Sequence, residues 1–133
     1  MANVVTVPDI PRAGPYSHGV VAGNFIYLSG QVGTVPNKST GIEEQFENAT
    51  AKVKKILGAG EFTTENIIKT SVFLSKAGDF QKLNELYSRH ISTNPPASTT
   101  VVTGFANNEI LVEIDVIASK YSNAYYRQID LGQ

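Results

Sequence analysis

Residues 110–118 read ILVEIDVIA. Successive side chains of an extended strand point to opposite faces, so Ile110, Val112, Ile114, Val116 and Ala118 fall on one side and Leu111, Glu113, Asp115 and Ile117 on the other. The first side is wholly aliphatic and belongs against a core. The second sets two carboxylates among aliphatic groups. An acid in such a strand reaches solvent, pairs with a base, or has its pKa raised by burial, and the last state suits acid–base chemistry near neutral pH. The stretch therefore predicts a half-covered sheet strand and marks Glu113 and Asp115 as candidates for chemistry.

Working outward, Thr99 to Thr103 is also extended, and Asn107-Asn108 supplies turn chemistry, which predicts a hairpin with residues 110–119. Val20 to Gln31 reads VVAGNFIYLSGQ, two apolar stretches around Gly23-Asn24, and predicts another hairpin. Ile42, Phe46, Ala49, Val53, Ile56 and Leu57 recur at helical spacing, with Thr40 and Glu43 at capping-box separation and Gly58-Ala59-Gly60 as the stop. Ile68, Thr70, Val72 and Leu74 alternate with Lys69, Ser71, Phe73 and Ser75 as a strand. Asp79 is placed to cap a second helix with Phe80, Leu83, Leu86, Tyr87 and Ile91 on one face, ended by Pro95 and Pro96.

The order strand, strand, helix, strand, helix, strand, strand predicts an α+β fold, a mixed sheet with both helices on one face. Tyr27, Phe73, Leu111 and Ile117 are then too apolar to lie uncovered together, which predicts a homo-oligomer with sites between subunits.

A chain of 133 residues fits one domain, here residues 1–120 followed by a C-terminal extension at 121–133. Eleven basic and twelve acidic residues, net charge −1, argue against a nucleic-acid footprint. No apolar run approaches the roughly 20 residues of a membrane span, and the start lacks a secretory pattern, so a soluble protein of the cytoplasm is expected, with the mitochondrion left open. The absence of cysteine excludes disulfides, thiol nucleophiles and thiolate-bound metals. His18 and His90 lack ligand spacing, so no metal is expected, and no GxGxxG, GxxxxGK[ST] or GxSxG motif occurs.

The motifs GPYS (14–17), SGQVG (29–33), KTSVFL (69–74), DFQKLNELY (79–87), PPAS (95–98) and LVEIDVIA (111–118), in this order, closely resemble the Rid family (RidA/YjgF, also labelled L-PSP endoribonuclease). The resemblance covers roughly residues 10–120. It implies a chorismate-mutase-like fold with a six-stranded mixed sheet, a homotrimer with three intersubunit clefts, and cofactor-free hydrolysis of reactive enamines and 2-imino acids to 2-keto acids and ammonia. On the same basis Glu113 would activate water, Tyr16, Ser29 and Gly30 would line the cleft, and Asn84 and the backbone N–H of Thr100 would contact a small-molecule substrate.

One position departs from the pattern. Deaminases of this family read PAR where this chain has Pro96-Ala97-Ser98, so the arginine expected to grip the substrate carboxylate is replaced by Ser98. Arg12, just before GPYS, and Arg127, in the C-terminal extension and able to act across an interface, are the candidate replacements, while Arg89 is expected to face solvent on the second helix. The readings that follow are a hydrolase with altered substrate choice, a non-catalytic small-molecule-binding trimer, or a ribonuclease or translation inhibitor, the last disfavoured by the charge balance.

Overall fold

In the computed structural model, described here for residues 2–90, 95–121 and 129, ILVEIDVIA forms the centre of a mixed sheet. The strands are β1 (Ala2–Val5), β2 (Gly19–Ala22), β3 (Phe25–Leu28), β4 (Gln31–Val32), β5 (Ile67–Leu74), β6 (Ala97–Val102) and β7 (Val112–Ser119), and the helices are α1 (Ile42–Ala59) and α2 (Phe80–His90). Their spatial order is β1-β2-β3-β7-β5-β6, and β4 continues along β7 beyond the end of β3. The sheet is therefore six positions wide, with β3 and β4 sharing one of them. Among the described strands, β5 and β6 are the one parallel pair.

Alternation in β7 works as its sequence predicts: Val112, Ile114, Val116 and Ala118 are buried, while Glu113, Asp115 and Ile117 are half-buried on the other face. The buried row meets Phe46, Ala49, Val53, Ile56 and Leu57 of α1 and Leu83 and Leu86 of α2. Each large aliphatic or aromatic side chain buried there contributes about 1.5–3 kcal/mol. Both helices thus cover one face. On the opposite face Tyr27 stays 47% exposed, with Phe73, Leu111 and Ile117 half-buried.

Several local expectations are corrected. β6 and β7 do not form a hairpin, because β5 lies between them. The Asn107 Oδ1 atom accepts the Glu109 N–H (2.8 Å), closing a side-chain turn inside a wide loop, so the chain passes the end of β5 before entering β7. α1 starts from Gly41 with no side-chain cap, and Glu43 instead pairs with Lys82 (3.2 Å) and Arg89 (3.7 Å) of α2. A register shift between Ile67 and Lys69 makes Ile67, not Ile68, the inward residue at the start of β5. Phe80 is half exposed at the start of α2, where a 3-10 turn, Ala77–Asp79, leads into the helix. β1 is an unforeseen strand, since an edge with three exposed residues carries no alternation. Ile91 lies outside the described residues. Among those residues, no helix is long and apolar enough to cross a membrane.

Candidate functional site

The segment between β3 and β4 is tied to the GPYSHG loop. The Ser29 N–H donates to the His18 carbonyl (3.0 Å), and Ser29 Oγ donates to the Ser17 carbonyl (2.6 Å). His18 anchors that loop from below. It is 2% exposed; its Nδ1 accepts the Val7 N–H (2.9 Å), which leaves Nε2–H to donate to the Ile10 carbonyl (2.9 Å). Both ring nitrogens are thus spent on backbone. Tyr16 is pinned at both ends, since its hydroxyl accepts the Ala13 N–H (3.1 Å) and its carbonyl accepts from Arg12 Nη1 (3.3 Å).

β7 projects Glu113 from the open face, between its register partners Val32 on β4 and Phe73 on β5. The carboxyl lies over the backbone of Gly30: a Cβ built there would fall 2.8 Å from Glu113 Cδ. A side chain at position 30 would push the carboxyl from this place. Tyr16, Ser29, Gly30 and Glu113 together line a cavity of about 330 Å³. Gln31, which follows them, turns inward and is buried.

Burial pushes the Glu113 pKa up, and the like charge of Asp115 pushes it further. Burial also raises Asp115, opposed by a hydrogen bond from Ser71 and by the Lys69 charge. Because the folded state holds these protons more tightly than the unfolded chain, stability is expected to rise as pH falls from neutral through their raised titrations. Asp115→Asn removes the second cause only. A ¹³C titration of the Glu113 carboxyl should then show its pKa moving down towards the ordinary carboxylate range; an unchanged titration would remove Asp115 from this account.

Asn84, Ser98 and Thr100 lie elsewhere on the chain. Ser98 and Thr100 belong to the edge strand β6, in register with Thr70 and Val72 of β5, and Asn84 is exposed on α2. The Ser98 side chain faces the helical side: Thr70 Oγ1 donates to Ser98 Oγ (2.8 Å) and contacts the Tyr87 hydroxyl (2.8 Å). Since Thr70 spends its one proton on Ser98, Tyr87 donates to Thr70, and the Ser98 hydroxyl proton remains for a third partner. Sequence reasoning missed Thr70 and Tyr87. The signal was present, a hydroxyl in the inward row of β5 among Val72 and Leu74. The Thr103 N–H donates to the Leu74 carbonyl (2.8 Å), so alternation along β6 turns the N–H groups of Ser98 and Thr100 away from β5, towards the free edge. Of the three cations, Arg12 is beside Tyr16, Arg89 is held to Glu43, and Arg127 lies outside the described residues.

One chain therefore carries two separated groups of candidate residues, one around Glu113 and one at the β6 edge. Residues 8–120 match the family described as Endoribonuclease L-PSP. The chain belongs to that family, the Rid/YjgF proteins. It is 36% identical over 125 residues to a RutC family protein of Saccharolobus solfataricus, covering 90% of this chain and 99% of that one. It is 32% identical over 120 residues to the 2-iminobutanoate/2-iminopropanoate deaminase of Homo sapiens, covering 86% of this chain and 88% of the human protein. The crystal structure of RidA from an Antarctic Psychrobacter species superposes with a TM-score of 0.81 at 29% identity, covering 88% of this Rid chain and 98% of that one.

Proposed function

We propose that this Rid protein hydrolyses reactive imines and enamines to carbonyl compounds and ammonia, as a homotrimer in which the Glu113 group of one subunit faces the β6 edge of the next. The observation that carries the reading is the Glu113 carboxyl, raised in pKa and set over Gly30 beside Tyr16 and Ser29 in a small cavity. A carboxylate with a raised pKa is a competent base near neutral pH. Glu113 would take a proton from water as its oxygen adds to the C=N carbon, giving a carbinolamine. That proton, returned to the imine nitrogen, makes the carbinolamine neutral; the carbinolamine hydroxyl then gives its proton to the same nitrogen by way of Glu113, so that the C–N bond breaks, ammonia leaves and C=O forms. The split between Glu113 and the group of Asn84, Ser98 and Thr100 supports assembly, because a site using both needs a second copy. The uncovered face bearing Tyr27, Phe73, Leu111 and Ile117 supplies the surface for it.

Ser98 sets the substrate choice in this reading. A hydroxyl fed by Thr70 and Tyr87 offers one neutral donor, which suits a carbonyl or hydroxyl oxygen and gives a carboxylate neither the positive charge nor the paired donors of a guanidinium. Losing one partner of a charge pair costs about 2–5 kcal/mol, or roughly 30-fold to a few thousandfold in affinity. Ser98→Arg is therefore expected to lower the KM for 2-imino acids by at least about 30-fold. The measurement is ammonia release from imines generated in place by an amino-acid oxidase. If Ser98→Arg leaves 2-imino acid turnover unchanged, position 98 does not govern the substrate.

A binding role without catalysis is the second reading, favoured by the same loss of fixed charge at Ser98. It predicts ligand-induced thermal shifts that Glu113→Gln leaves intact, together with no imine hydrolysis by the unmodified trimer.

A further inference from the structure

A second and larger cavity, about 410 Å³, lies between the segment before Tyr16, the chain following β4, and α1. It shares no lining residue with the Glu113 cavity. The two are nevertheless neighbours, because Val32 lines the larger one and is the register partner of Glu113, and Ala13 lines it while holding the Tyr16 hydroxyl.

Its walls combine apolar surface from Pro11, Val32 and Val35 with two cations, Arg12 and Lys52, and one carboxylate, Glu109. Lys52 reaches in from α1, half-buried, and donates from Nζ to the Val32 carbonyl (2.8 Å), a neutral acceptor. Arg12 likewise donates to a neutral oxygen, the Tyr16 carbonyl. Among the described residues every ion pair involves other side chains, so neither cation has a carboxylate within pairing distance. Burial lowers the Lys52 pKa, the mark of a charge removed from water without a counter-ion.

Two donors of positive charge, each with most of its N–H groups unspent, therefore flank an apolar recess that is within the size range of small-ligand sites. We infer that this recess is a second small-molecule site, taking a monocarboxylate with a short apolar body whose carboxylate lies between Arg12 and Lys52. Two cations against Glu109 leave one net positive charge, which a monocarboxylate neutralises. A phosphate dianion would overshoot that charge and set its oxygens against apolar walls. The inference does not depend on imine hydrolysis.

The test is a titration of the intact oligomer with isovalerate, and in parallel with inorganic phosphate, followed by amide chemical shifts. Saturable shifts at Val32, Ala13 and Lys52 are expected with isovalerate and weaker ones with phosphate. Arg12→Gln and Lys52→Met should each weaken isovalerate binding about 10-fold or more, the loss of one charge-assisted contact. Lys52→Arg should retain most of it, which separates charge loss from misfolding. Glu113→Gln should leave it unchanged. Binding insensitive to both cation changes, binding abolished by Glu113→Gln, phosphate binding as tight as isovalerate, or no saturation at about 10 mM, a very weak affinity, would each overturn the assignment.

Discussion

Glu113→Gln is expected to slow imine hydrolysis by about 100- to 10,000-fold, the usual contribution of a positioned general base. The substitution keeps the shape over Gly30, where the Glu113 carboxyl sits. It removes the one carboxyl in the cavity of Tyr16, Ser29 and Gly30, the group whose pKa burial raises. The loss should therefore fall on kcat, with KM little changed. The unmodified protein should lose activity as pH drops through the raised Glu113 pKa, because only the carboxylate is a base. That acid limb should disappear in Glu113→Gln, and in Asp115→Asn it should move to lower pH. Residual activity within about threefold of the unmodified protein, with the acid limb intact, would assign the chemistry to another group.

The central strand was legible because its physics is local. Alternation in Val112–Ser119 needs only the pleat, and it is enough to place Glu113 on the open face. The helical stripe of Phe46, Ala49, Val53, Ile56 and Leu57 was legible for the same reason. What failed was pairing. Nothing local in Thr99–Thr103 says that its neighbour is β5 and not the next strand in sequence, since that choice is made by α2 acting as a crossover. Capping failed at Thr40 because Gln45 and Glu43 answered to longer-range partners, the loop before β7 and α2. The site was half legible for a related reason. Glu113, Tyr16, Ser29 and Gly30 converge within a chain, whereas Ser98 acquires its meaning from Thr70 and Tyr87, residues that no motif connects to it.

Gln45→Leu is expected to destabilise the fold by roughly 3–6 kcal/mol, a large share of the 5–15 kcal/mol typical of a domain. Gln45 is fully buried, and its amide serves three backbone groups that no strand or helix satisfies. Nε2 donates to the carbonyls of Thr40 (3.1 Å) and Glu109 (2.8 Å), and Oε1 accepts the Leu111 N–H (2.8 Å). Leucine fills the volume and satisfies none of them. Each orphaned group costs about 1–3 kcal/mol, and relaxation of the exposed Glu109 loop should recover part of the total. The damage should reach function, because Leu111 fixes the entry into β7 two residues before Glu113. From the other side Gly33 packs so closely that a Cβ there would fall 2.6 Å from the Gln45 carbonyl carbon, so the Gln45 backbone is clamped between β4's extension and the β7 entry. Gln45→Glu separates hydrogen bonding from volume: its carboxylate still accepts from Leu111 but faces two carbonyl oxygens, which raises its folded pKa, so part of the lost stability should return as pH falls through that raised value. Urea unfolding at fixed protein concentration measures both variants, and a loss under about 1 kcal/mol for Gln45→Leu would mean that water replaces the amide at these groups.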